Sequence, residues 1–245
     1  MSGACLALHV FYKLSNNCQR NAIEHTFGRP FKFPKIYERN PIINGVQEQL
    51  LPVITDHDAQ VNYAIWGILP THYTGDWKAY QNIQNTLNFP PSESLFYSAA
   101  AFSNIKKCVI IVTGFFVSHL KDGSMYTYYV YKENEQPFLL GGLYTVLEDG
   151  FLTCTMAYTK ANAFIQNINN INGYMPLIID HSKLSDWLES GLEENTQQQY
   201  HTEKLFAHTI SKQFYDNDIL FDSVLEPIPY KDIPNFECPN HMSKN

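Results

Sequence analysis

The runs CVIIVTGFF (residues 108–116), YTYYVY (126–131), FLLGGLYTV (138–146) and FLTCTMA (151–157) follow one another with only short polar connections. Their β-branched and aromatic content predicts four strands. Asp122-Gly123 and Asp149-Gly150 stand where tight turns are needed, because glycine tolerates the positive φ that such turns demand. Strands spaced this closely pair antiparallel, since a parallel crossover needs a dozen or more residues.

Outward from this block, helices punctuate both ends. Residues 5–13 alternate apolar and polar side chains and read as a strand, followed by a short helix over 17–27 capped by Ser15 or Asn16. Residues 28–59 are rich in Pro, Gly and Asn and read as a long ordered loop with a short strand at 51–54. A strand over 62–68 precedes a helix from Ser92 to about residue 105. After the central block come a helix over 160–168, a strand over 176–179 and a helix over 184–192. The pattern predicts an α+β fold in one domain over 1–235, with a polar, frayed tail at 236–245.

Composition narrows the function. Hydrophobic residues make up 44% and aromatics 14% of the 245 residues, which is enough for a core. The formal net charge is −7, and Arg20, Arg29 and Arg39 are the only arginines. A nucleic-acid contact therefore needs a local basic patch, built mainly from lysine. Five cysteines without a CxxC pair predict a reduced, cytoplasmic setting. The start lacks the basic region of a signal peptide, and no stretch approaches a membrane span. No phosphate loop, GxSxG or paired catalytic carboxylates stand out, and no cofactor is expected. Asp56-His57-Asp58 superficially suggests a metal site, but adjacent side chains in a strand point apart, so no metal is expected either.

Six short strings carry a resemblance: YAIWGILP (63–70), TLNFPPSES (86–94), KKCVIIVTGFFVSH (106–119), YTKANAFIQNIN (158–169), YMPLII (174–179) and AHTISK (207–212). Together, in order and at nearly the same spacing, they resemble the SOS response-associated peptidase family over roughly residues 5 to 230. The resemblance implies a curved, partly closed, mainly antiparallel β-sheet assembly with peripheral helices. It also implies chemistry at an abasic site in DNA, where a terminal cysteine closes a thiazolidine ring on the sugar aldehyde with its amine and thiol. An asparagine, a glutamate and a histidine of the family position the sugar and move protons.

Carried over residue by residue, that machinery is depleted. Ala7 falls at the nucleophile position, with His9 two residues on, behind a short extension. Asn88 keeps the asparagine of the family's LN pair and Glu93 keeps its SE pair. Val117 replaces the glutamate of GFFEW, Asn169 replaces the family's histidine, and Tyr174 replaces the arginine before MP. Cys5 becomes a nucleophile only if processing removes four residues, and Met removal would otherwise expose Ser2. His9, Trp66 and Tyr174 are candidate ligand contacts, with Trp66 and Trp77 flanking an aromatic stretch that would stack on unpaired bases. The expected function is non-covalent binding of single-stranded or abasic-site DNA by a degenerate relative. The alternatives are residual crosslinking or peptidase-like activity through Cys5 or the N-terminal amine, and a protein-interaction scaffold.

Overall fold

A computed structural model describes residues 11–89, 104–190, 204–214 and 223–236. Cys5, Ala7, His9, Glu93 and the helix expected from Ser92 lie outside the described residues. In chain order the strands are β1 (Lys13–Asn16), β2 (Asn40–Asn44), β3 (Leu50–Thr55), β4 (Asn62–Trp66), β5 (Asn88–Phe89), β6 (Lys106–Val112), β7 (Gly114–Lys121), β8 (Ser124–Lys132), β9 (Phe138–Val146), β10 (Leu152–Lys160), β11 (Tyr174–Pro176), β12 (Ile178–Ile179) and β13 (Leu205–Thr209). The described α-helices are short: α1 (Arg20–Phe27), α2 (Trp77–Ile83), α3 (Ala163–Ile168) and α4 (Leu184–Glu189).

Strands β10, β4, β3, β6 and β9 hydrogen-bond in a closed ring. Every pairing in that ring is antiparallel except β4 with β10, which closes it. A second sheet, in the order β13-β8-β7-β1-β2, is antiparallel throughout. The fold is α+β, with a partly closed, mainly antiparallel sheet assembly as its body. No helix among the described residues is long and apolar enough to cross a membrane.

After Lys106 every residue of β6 is buried, and its side chains alternate between two clusters with the period of a strand. Cys108, Ile110 and Val112 join one apolar cluster with β1, β7 and β8, while Val109 and Ile111 join another that contains α1 and α4. Helix α1 contributes Ile23 and Phe27 to that second cluster, and α4 contributes Leu184 and Trp187. The Trp187 indole donates to the Cys108 carbonyl at 2.8 Å, so its polar atom is satisfied as its ring is buried.

The run 108–116, expected as one strand, is two. It breaks at Thr113, where the chain leaves the closed ring for the second sheet. Thr113 N–H donates to the Ser15 carbonyl at 2.7 Å, Asn17 N–H donates to Thr113 Oγ1 at 2.9 Å, and the hydroxyls of Ser15 and Thr113 lie 3.3 Å apart. Ser15 and Asn16 are therefore buried strand residues, not helix caps. Helix α1 starts later, after Gln19, with no side-chain cap.

Other boundaries also move. The long loop over 28–59 holds β2 as well as β3, because NPIIN pairs with β1 despite its proline. Helix α2 was not anticipated; Asp76 caps it by accepting from Ala79 N–H at 2.7 Å. Asn162, accepting from Ile165 N–H at 2.9 Å, sets the start of α3. The strand expected at 176–179 is the pair β11 and β12. Phe236 is not part of a frayed tail, since it exchanges both backbone hydrogen bonds with Ala207. The Asp122-Gly123 turn does join β7 to β8, with both residues at positive φ.

Gly114 completes the junction. A Cβ there would strike the Tyr129 ring and lie 2.7 Å from the Val130 carbonyl oxygen, both on the neighbouring strand. Gly114→Ala should therefore destabilise the protein by about 1–3 kcal/mol. A urea midpoint unchanged from that of the parent would contradict this account of the junction.

Candidate functional site

The β1–β7 ladder is short, holding only Leu14 against Phe115 and Ser15 against Gly114. At its open end, Phe11, Tyr12 and Lys13 line a cavity of about 560 Å³ with Phe116, Val117 and Ser118 of β7. Ser124 and Met125 of β8, Asn169, Ile171 and Asn172 of the α3–β11 turn, and Lys212 and Phe214 after β13 complete its walls. The cavity thus opens where two sheet strands separate, and it draws on segments far apart in sequence.

Side-chain bonds fix those walls. Asn170 grips Leu120 at both backbone groups, accepting from its N–H and donating to its carbonyl at 2.8 Å each, which ties the α3–β11 turn to the β7–β8 hairpin. Lys13 Nζ donates to the Phe214 carbonyl at 2.9 Å and sits 4.1 Å from the centre of the Phe214 ring. Lys212 Nζ lies 4.2 Å from the Tyr126 ring centre and 5.5 Å from that of Tyr230. The two tyrosine rings pack edge to face at 5.2 Å. Such rings attract an ammonium through their quadrupoles and orient it. Lys13 and Lys212 are the charged side chains of the lining, and none of the residues lining it is Asp or Glu. A protein with a net charge of −7 therefore presents a locally positive cavity with a mixed polar and apolar lining.

Val117 and Asn169, far apart in the chain, share this cavity. Val117 is 3% exposed, pairs with Tyr128 and offers no group that exchanges a proton. Asn169 is buried, and its amide is fully occupied in shaping the turn. Its Nδ2 donates to Asn172 Oδ1 at 3.0 Å and to the Tyr174 carbonyl at 3.3 Å, while its Oδ1 accepts from the N–H groups of Ile171 and Asn172. Asn88, in β5, does not line the cavity but adjoins it by donating from Nδ2 to the Phe11 carbonyl. Its Oδ1 is buried without a partner among the described residues.

Two expected ligand contacts are placed otherwise. Trp66 is 0% exposed, and its indole donates to the Leu87 carbonyl at 2.9 Å. Trp77 is buried too and donates to the Trp66 carbonyl at 3.0 Å. Neither ring has a face to offer an unpaired base; both are core. Tyr174 is exposed outside the cavity, its ring edge to face with Tyr158 at 5.1 Å. The residues missed by sequence reasoning are Lys13, Asn170 and Lys212. Lys212 lies inside the string AHTISK, yet only the fold shows which lysines meet at one opening.

Among the described residues no group of three or more His, Cys, Asp or Glu side chains is placed to hold a metal ion. Asp58 instead pairs with Lys32 at 3.4 Å, and His57 with Asp56 at 3.1 Å.

The described cysteines, Cys18, Cys108 and Cys154, are free thiols. Burial pushes all three above the ordinary value of 9.0. None is poised as a thiolate nucleophile at neutral pH. In the native protein at pH 7.5, Cys108 and Cys154 should stay unmodified by a maleimide that labels them in denaturant. A buried thiol keeps its proton where the unfolded chain's thiol has lost it. Folding stability should be full below pH 9.0 and fall as pH rises through it. Rapid native labelling of Cys108 or Cys154, or a urea midpoint that climbs above that pH, would contradict this.

Known proteins share this fold. The family model described as SOS response associated peptidase (SRAP) matches residues 13–216. No curated protein matches the chain. Among solved structures, a Bacteroides thetaiotaomicron protein superposes with a TM-score of 0.72 at 20% identity, covering 89% of this chain and 100% of its own. A Bordetella bronchiseptica protein reaches 0.66 at 14% identity, covering 82% of this chain and 99% of its own. A phage-related protein from Bordetella bronchiseptica reaches 0.55 at 10% identity, covering 81% and 93%. At these identities the structures share the fold.

Proposed function

The chain belongs to the SOS response-associated peptidase family, and from that membership we propose that it binds single-stranded DNA, with or without an abasic site, and forms no covalent bond to it. The observation that carries this reading is the composition of one cavity: Lys13 and Lys212 in its lining, and Val117 where the family motif has glutamate. Two ammonium groups suit the phosphates of a strand, with counterion release supplying the affinity. Val117 supplies no proton transfer, a role typically worth about two to four orders of magnitude in rate. Asn169, at the family's histidine position, has its amide consumed by the turn. Ala7, at the nucleophile position, has no thiol.

Fluorescence anisotropy with a labelled single strand carrying a tetrahydrofuran abasic analogue tests the binding. Affinity should fall steeply between about 50 and 200 mM salt. Lys13→Ala with Lys212→Ala should reduce the log–log salt slope by about 1.4, since each phosphate that a lysine neutralises on a single strand contributes about 0.7. No binding at low salt, or an unchanged slope in the double variant, would overturn the reading.

The covalent arm is separate. Incubated at neutral pH with a natural abasic single strand, the protein should give no heat-stable adduct on a denaturing gel. An imine from any amine reverts with water, so an adduct should appear only after borohydride reduction. A heat-stable adduct without reductant, lost in Cys5→Ala, would replace this reading with a crosslinking enzyme.

A further inference from the structure

We infer that the cavity between the start of β1 and the middle of β7 accepts an intact nucleotide, base included, in preference to the bare sugar phosphate of an abasic site. The inference rests on the DNA-binding reading and names what that site selects.

Size is the first ground. At about 560 Å³ the cavity falls in the range of about 300–1,000 Å³ typical of sites that enclose a whole small ligand. A deoxyribose alone would leave much of it to be filled by water, part of it against the apolar side chains of the wall.

The second ground is the character of those walls. Phe116 and Val117 are buried side chains of β7, and Met125 and Ile171 are 41% and 46% exposed although large and apolar. Against these four side chains a sugar's hydroxyls lose their water without gaining partners, which costs free energy. A base has flat apolar faces, and enzymes that read an extruded base hold it between aromatic and apolar side chains. The apolar part of the wall therefore favours the base over the sugar.

Third, a base edge has a partner available. Asn172 Oδ1 already accepts from Asn169 Nδ2 at 3.0 Å and from Tyr174 N–H at 3.1 Å. Its amide NH₂ group makes no hydrogen bond among the described residues and can donate to a base carbonyl. Lys212, oriented by Tyr126 and Tyr230, supplies charge for the phosphate of the same nucleotide.

Displacement of a labelled oligothymidylate tests this, with deoxythymidine monophosphate, deoxyribose 5-phosphate and inorganic phosphate as competitors. Deoxythymidine monophosphate should compete about tenfold better than deoxyribose 5-phosphate, the lower part of the range for stacking a base. Met125→Ser with Ile171→Ser changes only exposed side chains and should erase most of that difference while leaving deoxyribose 5-phosphate unaffected. Lys212→Ala should weaken both nucleotide and sugar phosphate. If the labelled strand binds but the sugar phosphate competes as well as the nucleotide, the base-selective cavity is wrong and the DNA-binding reading stands. If the strand does not bind at all, the DNA-binding reading itself fails, and this inference with it. A preference that survives the double serine variant would also overturn the assignment to this wall.

Discussion

The contact between Ser15 and Thr113 fixes the rest of the architecture. Backbone and side chain both take part, and both residues are fully buried. Each such bond stabilises by about 0.5–1.5 kcal/mol net, but an unmade one would leave a buried polar group stranded at greater cost. The junction therefore has one satisfactory arrangement. It holds β1 against the point where the chain passes from the closed ring into the second sheet, and Gly114 admits the Tyr129 ring where any side chain would collide. Since β1 and β7 pair over only two residue pairs, the segment before Lys13 leaves β7, and the gap becomes the cavity.

Charge is organised at that gap against the balance of the molecule. A formal charge of −7 repels a polyanion at long range, but screening over about 8–10 Å at physiological salt leaves the nearest groups in control. Those groups are Lys13, bonded to Phe214, and Lys212, set against two tyrosine rings. On the proposed DNA-binding reading, affinity for a strand depends on a few oriented ammonium groups, and the apolar side chains beside them govern which part of the strand enters. On the same reading, selectivity resides in Met125 and Ile171, apolar residues that a search for catalytic types passes over.

Much of the fold was legible because neighbouring strands in the central block pair with one another, so local alternation and turn residues carry the information. The β7–β8 hairpin with Asp122-Gly123 is such a case. The break at Thr113 was not legible: threonine favours strands, and the reason for the bend lies in Ser15, distant in sequence. Strand β2 is hidden in the sequence because Pro41 and its asparagines read as loop, whereas pairing with β1 outweighs that preference. At the site, Val117 and Asn169 were marked by family resemblance, and the cavity does contain both. Trp66 misled because an aromatic residue near a loop reads equally as a stacking platform or as core, and only burial separates the two. Lys13, Asn170 and Lys212 carry no local signal, since their meeting is a property of tertiary structure.

The central claim is that the cavity at the open end of the β1–β7 ladder is where a DNA strand binds. Backbone amide shift mapping by NMR, titrating a short abasic single strand into the isotopically labelled protein, tests it most directly. The account predicts saturable shifts concentrated at Tyr12, Lys13, Val117, Ser118, residues 170–172 and Lys212, with Trp66 and the Asp56–Asp58 loop unmoved. Shifts confined to that loop or to the α1–α4 side, with the cavity residues silent, would contradict it.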